Sequence, residues 1–285
     1  MLGQGAMIER TRQLCREDER LVAAMMYGSF TQGEGDGFSD IEFILFFEDD
    51  ALENVDQQRW VSKISPVELY YVNEYGNGTA IFEGLIRGEF HFDRASDIGK
   101  IDESWRETGW FPSLDDALVL DRTGELARRL RAVVGLPLER DTPERIRFAR
   151  DSFINWLLFG SNLVARGEDA RALDLLFFVQ RYLLHMVRLL EGKTEHWPSP
   201  SKALESDISR AAYARYAACT ARLNGEDIRS AYLSAWEWGK EMMEVLGGRH
   251  GLESPATLLE RMDQRLAGTL GVSGSPASTR EQETP

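Results

Sequence analysis

The pattern of apolar residues changes between Gly135 and Pro143, and no single regular architecture accommodates both sides of that change. Before it, short apolar runs alternate with Gly-, Asn- and Asp-rich turns. Residues 21–27 predict a buried strand, 40–47 (DIEFILFF) a second, and 67–73, 79–82, 85–92 and 117–121 further strands. The YGNG at 75–78 is a turn signal between two of them. Helices are expected at 5–19, 51–61 and 122–133. After the change, Thr142-Pro143-Glu144 reads as a helix start, with an N-cap hydroxyl, proline at the first helical position and an acid in the first turn. Phe153, Trp156, Leu157, Gly160, Leu163 and Val164 then follow helical spacing, as do Leu173, Leu176, Phe177, Leu183, Leu184, Val187 and Leu190. Further helices are expected at 207–222, at 226–246 ending on Gly247-Gly248, and at 255–268 after Ser254. The chain thus reads as α+β: a mixed sheet with flanking helices over 1–140, an all-α helical bundle over 141–270, and a polar tail over 271–285 expected to be disordered.

Charge narrows the function. The net charge is -14, and most of it lies in residues 1–140, which hold 27 acids against 15 bases. This argues against a nucleic-acid binder that works by neutralising phosphates. An acidic half repels a bare triphosphate, so it would need a divalent cation to bind one; the plainer reading is a solvated surface. Cys15 and Cys219 are two distant cysteines that make neither a disulfide framework nor a zinc cluster. No apolar stretch is long enough to span a membrane. The opening MLGQGAMIERTRQL lacks the basic flank and apolar run of a secretory signal. The expectation is a cytoplasmic protein without nucleic-acid or membrane partners.

The chemistry concentrates in Gly28-Ser29, ten intervening residues, and Asp40-Ile41-Glu42. Strand alternation puts Asp40 and Glu42 on one side, roughly 7 Å apart, with Ile41 and Phe43 on the other. A sheet gains nothing from two like charges there, whereas a hard divalent cation turns their repulsion into coordination. Glycine lets the backbone come close to a phosphate, and the amides and hydroxyl at Gly28 and Ser29 can hydrogen-bond it. The loop is not a Walker motif, a dinucleotide fingerprint or an EF-hand. On a strand through LIRGEFHF, Leu85, Arg87, Glu89 and His91 share one face and Ile86, Phe90 and Phe92 the other, so Glu89 faces either a site or solvent. Arg87 is open between pairing with Glu89, contacting a phosphate and balancing surface charge. His91 is read as structural or peripheral, and Glu34 and Asp36 as solvated loop acids. Trp156, Phe159, Phe177, Trp236 and Trp238 are read as bundle core.

Gly-Ser, a spacer and Asp-x-Asp/Glu resemble the nucleotidyltransferase superfamily that includes DNA polymerase β and the antibiotic adenylyltransferases. MMYGSFTQGEGDGFSDIEF at 25–43, NEYG at 73–76, IFEGLIRGEFHF at 81–92, and stretches around 148–162 and 170–176 resemble the lincosamide nucleotidyltransferases. The resemblance implies an N-terminal nucleotidyltransferase domain followed by the helical bundle, Asp40 and Glu42 as Mg²⁺ ligands, Glu89 as general base, Gly28 and Ser29 against the nucleotide, and a homodimer. It implies transfer of a nucleoside monophosphate from a Mg²⁺-bound triphosphate, ATP first, to a hydroxyl of lincomycin or clindamycin. The alternatives are an aminoglycoside acceptor with the same chemistry, a non-catalytic antitoxin-type fold that binds a partner protein, and a helical interaction protein with an incidental acidic motif.

Overall fold

The chain divides into two compact units, Met1–Leu138 and Glu139–Pro285. The computed structural model describes residues 3–105, 111–135 and 138–271, so the tail expected to be disordered lies, apart from Gly271, outside the described residues.

The first unit is built on a six-stranded sheet. Its strands are β1 (Leu21–Tyr27), β2 (Ile41–Phe47), β3 (Val67–Val72), β4 (Gly78–Phe82), β5 (Ile86–Arg94) and β6 (Leu118–Asp121), in the order β3-β4-β5-β2-β1-β6. Only β2 and β5 run parallel; the other neighbours are antiparallel. β1 and β2 are buried along most of both faces because both faces are covered. Ile41, Phe43, Leu45 and Phe47 of β2 pack with Phe90 of β5 and with Met7, Leu14 and Cys15 of helix α1 (Gly3–Glu17). Ile44 and Phe46 point the other way, into a second core with Ile98, Ile101, Leu126 and Leu130.

Several sequence expectations shift. The helix expected at 51–61 is a 3₁₀ turn at Leu52–Asn54 followed by α2 (Gln57–Val61). The Asp56 side chain accepts the Arg59 amide and so starts the helix there, as N-cap residues do. Leu85 is not a strand residue: it has φ 60° and lies exposed in the turn before β5. Two short helices, α3 (Ile101–Trp105) and α4 (Leu114–Ala117), precede β6, and α5 (Glu125–Leu130) follows it.

The second unit is all-helical: α6 (Pro143–Ala165), α7 (Asp169–Glu191), α8 (Leu204–Asp207), α9 (Arg210–Ala218), α10 (Gly225–His250) and α11 (Ala256–Leu270). The expected start of α6 is present, with the Thr142 side chain accepting the Arg145 amide and proline in the first turn. Phe153 of α6 stacks on Trp236 of α10, and Tyr232 fills the space over Gly160, where a methyl group would overlap its ring. Helix α10 does not stop at Gly247-Gly248. Those glycines are helical, and the left-handed cap is Gly251, at φ 61°. A left-handed glycine is a common helix end, and here Gly251 rather than Gly247-Gly248 takes that conformation. The aromatic set divides too. Trp236 and Trp238 are core, whereas Phe159 and Phe177 are exposed and Trp156 is partly buried. Among the described residues no helix is long and apolar enough to cross a membrane.

Candidate active site

The three carboxylates singled out in the sequence come together at one end of the sheet. β1 is antiparallel to β2 and β5 is parallel to it, so the end of β1 meets the beginnings of β2 and β5. Tyr27 pairs with Glu42, Glu42 with Glu89, and Glu89 with Thr79. Directly opposed residues share a face, so one row across four strands presents Tyr27, Glu42, Glu89 and Thr79 together. Asp40 immediately precedes β2 and is drawn to the same side.

Arg87 ties this group together. Its Nη1 donates to Asp40 Oδ2, and its Nη2 donates to Glu89 Oε2 at 2.5 Å. The other oxygen of Glu89, Oε1, accepts from Tyr27 Oη and from Asn77 Nδ2, each at 3.3 Å. Asn77 is delivered by the YGNG turn, in which the Asn73 side chain accepts the amides of Tyr75 and Asn77. Tyr27 Oη lies 2.9 Å from His91 Nε2, and Trp105 packs edge-on against the Tyr27 ring. His91, read from the sequence as peripheral, therefore borders the cluster, with Nε2 3.5 Å from Glu89 Oε1.

Burial works to raise the Glu89 pKa, but hydrogen bonding and charge from Arg87, helped by His91 and Asn77, hold it below the ordinary carboxylate value. Glu89 is consequently ionised at neutral pH, the form in which a carboxylate accepts a proton. The Tyr27 hydroxyl is pushed well above its usual value by burial and by the charges of Glu42, Glu89 and Asp40. All three carboxylates thus act on one hydroxyl.

The Gly28-Ser29 turn closes the site. Gly28 has φ 79° and ψ -159°, a conformation essentially reserved for glycine. A methyl group there would also overlap the Glu42 carboxylate, so the chain passes directly against that acid. Ser29 opens a 3₁₀ turn, Ser29–Gln32, in which Thr31 Oγ1 donates to the Gly28 carbonyl at 2.7 Å. The Ser29 hydroxyl oxygen is buried and makes no hydrogen bond in the structure. An orphaned buried hydroxyl is costly unless something else satisfies it. The loop to Asp40 is held by buried Gln4, whose side chain donates to the carbonyls of Gly37 and Ser39. Asp36 accepts from the Phe38 amide and the Ser39 hydroxyl, so it organises the turn.

Among the described residues no group of three or more His, Cys, Asp or Glu side chains forms a metal cage. Mg²⁺ does not require one, since it binds through one or two carboxylates with phosphate oxygens and water completing its shell. Asp40 and Glu42, with Glu42 against the Gly28-Ser29 turn, suit that donor set. Sequence reasoning did not single out Tyr27 or Asn77. The available signals were the position of Tyr27 directly before Gly28-Ser29 and the YGNG turn itself.

Residues 142–265, less than half of the chain, match the family described as lincosamide nucleotidyltransferase-like, C-terminal domain. The match falls within the helical unit, where part of the resemblance read from the sequence also lies. No curated protein matches the chain. Among solved structures, an aminoglycoside 6-adenyltransferase from Bacillus subtilis aligns over 94% of this chain and 99% of its own, at 12% identity and a TM-score of 0.45. A nucleotidyltransferase-like protein from Exiguobacterium sibiricum 255-15 aligns over 91% and 80%, at 14% identity and a TM-score of 0.39.

Proposed function

We propose that this chain is an antibiotic-resistance nucleotidyltransferase. It moves a nucleoside monophosphate, AMP first, from a Mg²⁺-bound triphosphate to a hydroxyl of a lincosamide such as lincomycin or clindamycin. The family match within the helical unit supports the reading. The single observation that carries it is the convergence of Asp40, Glu42 and Glu89, with the Glu42 carboxylate packed against the Gly28-Ser29 turn.

In this reading Asp40 and Glu42 hold Mg²⁺, which supplies Lewis-acid stabilisation of charge on the reacting phosphate. Ser29 Oγ and the backbone at Gly28 hydrogen-bond phosphate oxygens. Glu89 accepts the proton of the acceptor hydroxyl as its oxygen bonds to the α-phosphorus and the bond to pyrophosphate breaks. Arg87, Tyr27 and Asn77 fix the Glu89 carboxylate at both oxygens, so it does not rotate away from the incoming hydroxyl. A cytoplasmic location rests on the sequence reading and a homodimer on the resemblance alone; sedimentation velocity tests the dimer.

The deciding experiment mixes purified protein with Mg²⁺ and each of the four common nucleoside triphosphates, against a panel of lincosamides and aminoglycosides, and weighs the products. Lincomycin heavier by one nucleotide supports the reading. Adducts confined to aminoglycosides move the acceptor, and the lack of any adduct removes the transfer reaction.

A further inference from the structure

Arg87 is placed where a cation is needed when no metal is bound. Its guanidinium touches Asp40 and Glu89 at once, and Glu42 stands beside them in the same row. Three carboxylates on so small a surface repel one another, and each would turn toward water if nothing positive lay between them. A planar guanidinium presents two donors to two acids, which the point charge of an ammonium does not.

The two contacts are unequal. Arg87 and Glu89 lie two residues apart on the same strand, so their pairing is local. Asp40 lies 47 residues away, ahead of the neighbouring strand, so that contact depends on tertiary structure. The Arg87 side chain is 45% exposed, against 32% for Asp40 and 19% for Glu89. The guanidinium can therefore leave Asp40 without opening the core, while the inner contact to Glu89 persists.

Resting on the nucleotidyl-transfer reading, we propose that Arg87 is a resident stand-in for the divalent ion. In the metal-free protein it holds Asp40 and Glu89 in their working positions. When the metal-bound nucleotide arrives, it yields Asp40 and keeps Glu89. Arg87 is thus a positioning residue that competes with the metal for one carboxylate.

The probe is Mn²⁺, with free ion measured by electron paramagnetic resonance and stability by thermal unfolding with and without the ion. The proteins are the wild type, Arg87→Met, Arg87→Lys and Asp40→Asn. Arg87→Met is expected to bind Mn²⁺ about two- to fivefold more tightly than the wild type, the scale of one partly exposed ion pair. Its melting temperature should fall in metal-free buffer and return to the wild-type value at saturating Mn²⁺. Arg87→Lys should lie between the two, because one ammonium satisfies one acid. Equal or weaker Mn²⁺ binding by Arg87→Met, or a melting deficit that metal does not relieve, overturns the proposal. So does a variant that binds Mn²⁺ normally but loses affinity for a non-hydrolysable ATP analogue, which would make Arg87 a phosphate ligand. If the wild type binds Mn²⁺ and Asp40→Asn does not, the metal site stands and these outcomes bear on Arg87 alone. If the wild type shows no Asp40-dependent Mn²⁺ binding, the metal-site reading fails and the stand-in role with it.

Discussion

Gly28→Ala separates backbone strain from damage to the site. At φ 79° and ψ -159° an alanine sits in a region essentially closed to side chains, at a cost of about 1–3 kcal/mol. For a chain of this size that corresponds to a fall in melting temperature of roughly 2–10 °C. The added methyl also overlaps the Glu42 carboxylate, which must move off the turn. Gly33→Ala is the control. Gly33 closes the same 3₁₀ turn at φ 74° and ψ 13°, and a methyl there meets nothing within 4 Å. Its cost is the left-handed penalty alone, about 1–2 kcal/mol. Both variants should therefore be destabilised in urea unfolding, but only Gly28→Ala should lose turnover. The expected loss is on the order of 10²-fold, as for a ligand displaced by about 1 Å. Mn²⁺ binding should weaken in parallel. If Gly28→Ala keeps turnover within threefold of Gly33→Ala, the placement of Glu42 against the phosphate turn is wrong as a functional statement.

Glu89→Gln should slow turnover by about 10²–10⁴-fold while metal-dependent nucleotide binding survives, and Asp40→Asn should lose both; isothermal titration alongside steady-state kinetics distinguishes the two patterns. Ser29→Ala should leave the unfolding midpoint unchanged or slightly higher, because the buried hydroxyl has no protein partner to lose. It should weaken triphosphate binding about tenfold or more, the worth of a hydrogen bond to a charged group, and unchanged affinity would remove Ser29 from the phosphate site. In the helical unit, burial pushes the His185 pKa from 6.5 down to about 4. The unfolded chain therefore takes up a proton first as pH falls, and stability present above pH 6.5 declines toward pH 4. The loss between pH 8 and pH 5 is about 2 kcal/mol. Urea unfolding of His185→Phe should show that much less pH dependence across the interval, and an identical profile would show that His185 is not the group responsible.

What the linear chain determines here is local. Thr142-Pro143 starts a helix because the hydroxyl cap and the fixed φ of proline act within one turn. Apolar runs at 21–27 and 41–47 become central strands, and alternation alone puts Asp40 and Glu42 on one side. What only the tertiary structure decided is relational. A hairpin, β3 and β4, separates β2 from β5, and the parallel register that sets Glu42 against Glu89 arises from packing across that interval. The pairing of β1 with β2 and of β4 with β5 also brings Tyr27 and Asn77 onto the Glu89 carboxylate, although Tyr27 lies 62 residues from it. Helix α10 likewise runs past Gly247-Gly248, and Phe159 and Phe177 face water despite helical spacing. Spacing fixes which residues share a stripe, but which stripe is covered depends on neighbouring helices that the local pattern does not encode.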